Sequence, residues 1–279
     1  MNALNQQIRK FYDRSTPLWL DTWGEHMHHG YYGDGDFQKD HRQAQLDLVE
    51  QLLAWGRVKS AAQILDAGCG VGGSARLLAQ RFGAKRVLGC TLSTVQAERG
   101  QQYNRTAGLD KTITIEARDM MTLTPEDGPF DLIWSLESAE HIEEKAKMLQ
   151  LFHKLLAPGG RLLMATWCQR EVPPALSYKD QRTLQRITQR YHLPPLPQLS
   201  DLRMAMTRQG FENVLGEDWS GQVAPFWKAV IHSALNAKSL IGLLRAGWPT
   251  IQGALAMRFM VAGYRKGLIR FAVFQGQKL

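Results

Sequence analysis

Cysteine is scarce: three residues in 279, Cys69, Cys90 and Cys168, far apart and odd in number. They form no Cys-x-x-Cys pair, so neither a disulfide framework nor a zinc site is indicated. No apolar run approaches the ~20 residues that cross a bilayer as a helix. The first ten residues carry a helix-like pattern in place of the apolar centre of a secretory signal. The expectation from these absences is a cytoplasmic protein. Dense basic clusters with interleaved aromatics are also missing, so the net charge of +8 does not read as a nucleic-acid surface. It fits a solvated basic exterior, and leaves peripheral contact with an anionic membrane open. No oligomeric state follows from any of this.

What is present is an alternation. Short β-like runs occur at Gln63–Asp66, Arg86–Cys90, Thr112–Glu116, Phe130–Trp134 and Arg161–Ala165, with amphipathic stretches between them. Strands alternating with helices at this spacing imply βαβ units and a mostly parallel, doubly wound α/β sheet of the Rossmann-like kind. Two later strands, Phe211–Trp219 and Ile269–Phe274, bring the count to about seven. A Pro-rich insertion over 168–200 and a helical stretch over 225–266 are expected above the carboxyl ends of the strands, where ligands bind. The chain reads as one domain, with an N-terminal helical cap over 1–60, a cofactor-binding core over 61–167, and a C-terminal part over 168–279 carrying lid insertions.

The strongest motif is Asp66-Ala67-Gly68-Cys69-Gly70-Val71-Gly72-Gly73, between the first strand and a helix. Glycines permit a tight turn and close approach of backbone to ligand. Asp66 before them would repel a pyrophosphate but pairs well with the amino group of an amino-acid moiety. The second strand ends without the acid that dinucleotide enzymes place on a ribose. Thr91, Leu92 and Gln96 stand there instead, the first and last as neutral hydrogen-bonding substitutes, although capping of the next helix accounts for them too. A nicotinamide-dependent oxidoreductase, which shares the sheet, is disfavoured on both counts. Asp119, after the third strand, can accept from an adenine amino group, with Met120 packing on the ring; a turn aspartate beside a core methionine is the alternative.

Asp66–Gly73, Gly89–Ser93, Phe130–His141 and Leu156–Leu163 resemble the motifs of class I S-adenosylmethionine (SAM) methyltransferases. A closer resemblance is to the γ-tocopherol methyltransferase family. It rests on Trp23–Tyr32 (Trp-Gly-Glu-His-Met-His-His-Gly-Tyr-Tyr), Trp134–His141 (Trp-Ser-Leu-Glu-Ser-Ala-Glu-His), Ala165–Cys168 and Val223–Trp227. Where the family reads Glu-Ser-Gly-Glu-His-Met, this chain has Ala139 and Ile142 in place of the glycine and the methionine. The resemblance implies SAM as cofactor, S-adenosyl-L-homocysteine as product, and methylation of the ring of a tocopherol, a small lipophilic aromatic substrate. It further implies Tyr12 capping the methionine end of SAM, and Ser135 among the cofactor-binding residues. An N- or O-methyltransferase of another lipophilic metabolite is the alternative.

Glu140 and His141 follow the fourth strand where the methyl group should be presented. With His28 and His29 they are the candidates for a base that takes a phenolic proton. Glu137 is equally well explained by helix-start chemistry. The run Glu25–His29 matches no metal-ligand spacing, so no metal is expected. Trp219, Phe226, Trp227, Trp248, Phe259 and Tyr264 make the late helical stretch aromatic enough to house a flat apolar acceptor. Lys228, Lys238, Arg245, Arg258, Arg265 and Lys266 beside them are the residues that would meet anionic lipid.

Overall fold

All seven expected strands form. In the computed structural model, which describes residues 3–33, 39–191, 193–234 and 248–279, they are β1 (Gln63–Ala67), β2 (Arg86–Thr91), β3 (Ile113–Ala117), β4 (Phe130–Leu136), β5 (Leu156–Gln169), β6 (Glu212–Asp218) and β7 (Ile269–Gln277). They join one sheet in the order β3-β2-β1-β4-β5-β7-β6. The first five are parallel; β7 runs antiparallel between β5 and β6. The order reverses at β1 and β4, and the loops leaving their carboxyl ends open the crevice where α/β sheets take ligands. The carboxylate of Asp131 in β4 accepts the backbone N–H groups of Ala62 and Gln63, each at 2.8 Å, which fixes the start of β1 against its neighbour.

Both faces of the sheet are covered, which is why its central strands are apolar throughout. Leu132, Trp134, Leu163, Ala165, Trp167, Phe271 and Val273 face one layer. Its helices include α2 (His41–Trp55) and α3 (Gly73–Phe82). Ile133, Leu162, Met164, Cys168, Ala272 and Phe274 face the other, which is built on α5 (Lys145–Leu155) and α7 (Leu199–Arg208). The period of two along each strand separates the layers. Several boundaries differ from expectation, that of β5 the most. β5 starts at Leu156, five residues before the run at Arg161, because Leu156 pairs with Phe130 and Arg161 with Leu132. The intervening Pro158-Gly159-Gly160 is looped out, with Gly159 at φ +80°.

Above the carboxyl ends lie α1 (Ala3–Trp23), which also contacts the crossover helix α4 (Thr94–Thr106) on the sheet face, and α6 (Tyr178–Arg190) from the Pro-rich insertion. The late stretch supplies α8 (Ser220–Val223), α9 (Pro225–Ala234) and α10 (Trp248–Arg265), and α6 packs on α10. Phe226, Trp227 and Trp219 are buried, and Phe259 and Tyr264 partly so. Lys228, Arg258, Arg265 and Lys266 are exposed. Lys238 and Arg245, and the side chain of Trp248, lie outside the described residues. No helix among the described residues is long and apolar enough to cross a membrane.

Candidate active site

A cleft lined by residues of α1, the Glu25–His28 segment and the loops after β1, β2, β3 and β4 lies over the β1 and β4 ends. Its floor is the glycine loop. Gly68 has φ +88°, and a Cβ there would stand 2.1 Å from the Ser138 Cβ, so the β1 and β4 loops touch only because this position has no side chain. Gly70 lines the floor, and Gly72, at φ +80°, supplies the left-handed turn that starts α3. Asp66 lines the cleft, yet its Oδ2 is buried with no hydrogen-bond partner among the described residues. Burial pushes its carboxyl up to about 7, against the pull of the Ala75 backbone N–H and Arg76. A buried carboxylate aimed into a cleft calls for a cation there, and the amino group of SAM is one. The donor set fits SAM.

Thr91, Leu92 and Gln96 line the opposite wall. The Thr91 hydroxyl donates to Gln96 Oε1 at 2.6 Å, while Ser93 caps α4 by accepting from the Gln96 N–H at 3.0 Å. Asp119 and Met120 close the far end. Asp119 serves as a cap, accepting from the Met121 N–H at 2.9 Å, and its other oxygen accepts from the Asn5 amide at 2.6 Å. Asn5, Ile8 and Tyr12 of α1 roof the cleft. Tyr12 lies 3.0 Å, hydroxyl to Nε2, from His141, and Asp13 accepts from the Ser93 hydroxyl at 2.5 Å. Ser135 is fully buried beneath the cleft and bonds Ser138 at 2.9 Å, so the cleft meets Ser138 in its place.

The segment Glu25–His29 packs on the loop. Arg76 holds Glu25 at 2.6 Å and Asn104 at 2.9 Å, and the Gln45 amide donates to the carbonyls of His26 and His28. His28 Nδ1 donates to the His29 carbonyl at 2.8 Å, and its Nε2 meets His26 Nδ1 at 3.2 Å. Burial lowers both rings, His26 to about 3, so both are neutral. His29 is held differently. Its backbone N–H donates to Glu137 Oε1 at 2.6 Å, and its ring Nδ1 to Oε2 at 2.7 Å. Burial would raise Glu137, but the charge and hydrogen bonds of His29 outweigh it and keep the carboxyl below its ordinary range. Glu137 is therefore an acceptor for Nδ1, and in the neutral tautomer of His29 this places the proton on Nδ1 and the lone pair on Nε2. That Nε2 is buried with no partner among the described residues.

Around the His29 ring stand Phe226 (4.5 Å between centroids), Trp227 (5.1 Å), Phe271 (5.3 Å), Trp167 (5.9 Å) and Tyr264 (6.0 Å). Glu137 lines the cofactor cleft and also holds His29, so it joins cleft and aromatic box. Its φ of +51° is unusual for a glutamate and is the kind of backbone strain found at working sites. Glu140 lies deeper, accepting from the Thr166 hydroxyl at 3.0 Å. Burial and the charge of Glu137 push it up to about 8. Sequence reasoning missed the roles of Glu137, Ser138 and Asn5. Glu137 sat within a recognised motif, but no sequence signal ties it to His29.

A doubly wound sheet, a glycine loop preceded by a buried acid, and a roofed cleft beside an aromatic box define a class I SAM-dependent methyltransferase. Residues 64–160 match the methyltransferase domain family model. The chain is 39% identical to the chloroplastic tocopherol O-methyltransferase of Arabidopsis thaliana over 289 residues, 99% of this chain and 83% of that protein. It is 41% identical to the probable chloroplastic tocopherol O-methyltransferase of Oryza sativa subsp. japonica, covering 99% and 79%. It therefore belongs to the tocopherol methyltransferase family, and SAM is its cofactor. Its fold matches the geranyl diphosphate C-methyltransferase of Streptomyces coelicolor A3(2), at a TM-score of 0.80 and 20% identity over 100% of this chain and 98% of that one. The cytoplasmic expectation is corrected by these relatives, both of them chloroplastic. It had rested on the absence of a secretory signal, which does not address other compartments.

Proposed function

We propose that this protein methylates a ring carbon of a lipophilic phenol, a tocopherol-type chromanol with an open position beside its hydroxyl. The observation that carries this reading is the His29 ring, set among aromatic side chains with Nε2 unpartnered among the described residues and Nδ1 braced by Glu137. When bound, SAM supplies an electrophilic methyl group on a positively charged sulfur. Asp66 would hold its amino group, Thr91, Leu92 and Gln96 its ribose side, and Asp119 and Met120 its adenine. Tyr12 would cover the methionine end and shut out water.

The box would hold the phenol flat between Trp227, Phe226 and Phe271. His29 Nε2 accepts the phenolic proton, and Glu137 stabilises the imidazolium that results. The oxygen's electrons then raise the nucleophilicity of the neighbouring ring carbon, which would take the methyl group as the bond from methyl to sulfur breaks, with S-adenosyl-L-homocysteine as the leaving group. The ring carbon afterwards loses its own proton, which leaves to solvent as the net proton released, and His29 returns the phenolic proton to the oxygen. Such a base contributes roughly 10²- to 10⁴-fold, and holding the two reactants in line contributes up to roughly 7–11 kcal/mol. Three rival bases are less suited. Glu140 is buried on the Thr166 hydroxyl and pushed up to about 8, His28 has both nitrogens engaged, and Tyr12 stands on His141 Nε2.

Incubation with SAM and either γ-tocopherol or a panel of lipophilic amines tests the acceptor class. Methylated tocopherol with silent amines is expected, and the reverse contradicts the proposal. O-methylation is a second reading, favoured by the names of the two plant relatives, because the same base would also activate the phenolic oxygen.

A further inference from the structure

Trp167 separates the aromatic box from a second cavity. Its ring meets His29 on one side, with centroids 5.9 Å apart, and Tyr191 on the other at 5.7 Å. Gln169, two residues further along β5, projects from the same face of the sheet, ~7 Å beyond Trp167. Its backbone N–H donates to the Pro197 carbonyl at 2.9 Å, which pins the chain from Leu193 to Pro197 against the strand end. Between that segment and α6 lies a cavity lined by Gln169, Leu184, Gln185, Thr188, Pro195 and Leu196. Leu184 and Leu196 are buried and belong to the same apolar cluster as Trp167, Tyr191 and Trp227. Trp167, Tyr191 and these leucines thus form one packed apolar layer between the box and this cavity.

None of the described residues lining it carries a charge. Leucine, proline and a threonine methyl make its walls, and the two glutamine amides give nothing that would neutralise a phosphate or a carboxylate. An ionic ligand has no counter-charge here, whereas a hydrocarbon chain replaces water at every wall. Gln185 is exposed, so the cavity opens to the surface and sets no sharp limit on chain length.

We infer that this cavity is the subsite for the isoprenoid tail of the acceptor, which passes Trp167 while the phenol ring lies against His29. The inference rests on the phenolic acceptor proposed above. It makes the tail a determinant of specificity, read by α6 and the 193–197 segment and not by the catalytic residues.

The experiment measures kcat and KM for γ-tocopherol and for the same chromanol without its isoprenoid tail, in the wild type and in Thr188→Trp and Gln185→Trp. Both substituted positions line the cavity from the outer side of α6, where an indole fills space without displacing a buried residue. The wild type should prefer the tailed acceptor by at least tenfold in kcat/KM, through KM. Each tryptophan should cut that preference about tenfold. Turnover of both acceptors with a wild-type preference near one, or with a preference that neither tryptophan alters, overturns the subsite alone. Absence of turnover with both acceptors, in protein that still binds S-adenosyl-L-homocysteine, overturns the phenolic reading and the subsite with it.

Discussion

Asp66 is more costly to the folded chain when ionised than when protonated. Its carboxyl is raised from 3.8 to about 7 by burial, so this penalty is absent below pH ~4, grows through the interval and is complete above pH 7. A cation in the cleft removes it, and binding of the SAM amino group requires the ionised form. Affinity for S-adenosyl-L-homocysteine should therefore weaken roughly five- to tenfold between pH 7.5 and pH 6, as calorimetry at each pH would show; a flat profile contradicts the role. Asp66→Asn should bind the product at least tenfold less tightly, yet melt about 2–4 °C higher at pH 8 without ligand, since the buried charge is gone. The pair His29 and Glu137 makes a separate prediction. Glu137→Gln and His29→Asn should each lower kcat by roughly 10²-fold or more with cofactor affinity within about twofold; an equal loss of affinity would point to a structural role. Asp66 was legible in the sequence because strand, acid and glycine are adjacent there. The His29–Glu137 contact was not, because its partners are 108 residues apart and only the fold brings them together.

At the scale of elements, the glycine loop and the loop after β4 are one device. Gly68→Ala places a methyl into Ser138 at a positive φ, a conformation that costs an alanine roughly 1–2 kcal/mol before any clash. The variant should fold with a lower Tm and lose most of its cofactor affinity, measured by thermal shift with and without S-adenosyl-L-homocysteine; a wild-type shift contradicts the close approach. Helix α1 reaches the cofactor cleft from the other side through Asn5, Tyr12 and Asp13. The Asn5 amide occupies the Asp119 oxygen that an adenine would need, so ligand binding should alter hydrogen exchange over residues 3–23 and leave β7 unchanged. The strands were readable from their apolar runs, and their approximate ends from glycine, serine and aspartate. The looped-out Pro158-Gly159-Gly160 within β5 was not, since the same triplet in isolation signals a turn that ends an element. Ser135 and Ser138 show the same limit: both stand beside the motif, and only the burial of the first decides which reaches the cleft.

For the whole molecule, a preformed cleft under a roof of α1 and the Glu25–His29 segment means that ligand binding and stability are linked. At a hundredfold excess over its Kd, S-adenosyl-L-homocysteine should stabilise the chain by about 2.7 kcal/mol, visible as a rise of several degrees in Tm, while NADH should leave Tm where it was. The basic surface and the plastid relatives leave the chemistry of the site unaltered, and that chemistry is decided by where the methyl group goes. The direct measurement is NMR of the product formed from γ-tocopherol and SAM labelled with ¹³C in the methyl group. A base at His29 working on a ring held in the aromatic box gives a ¹³C signal in the aryl-methyl region and a free phenolic hydroxyl. A signal in the methoxy region, with the hydroxyl lost, would contradict ring methylation.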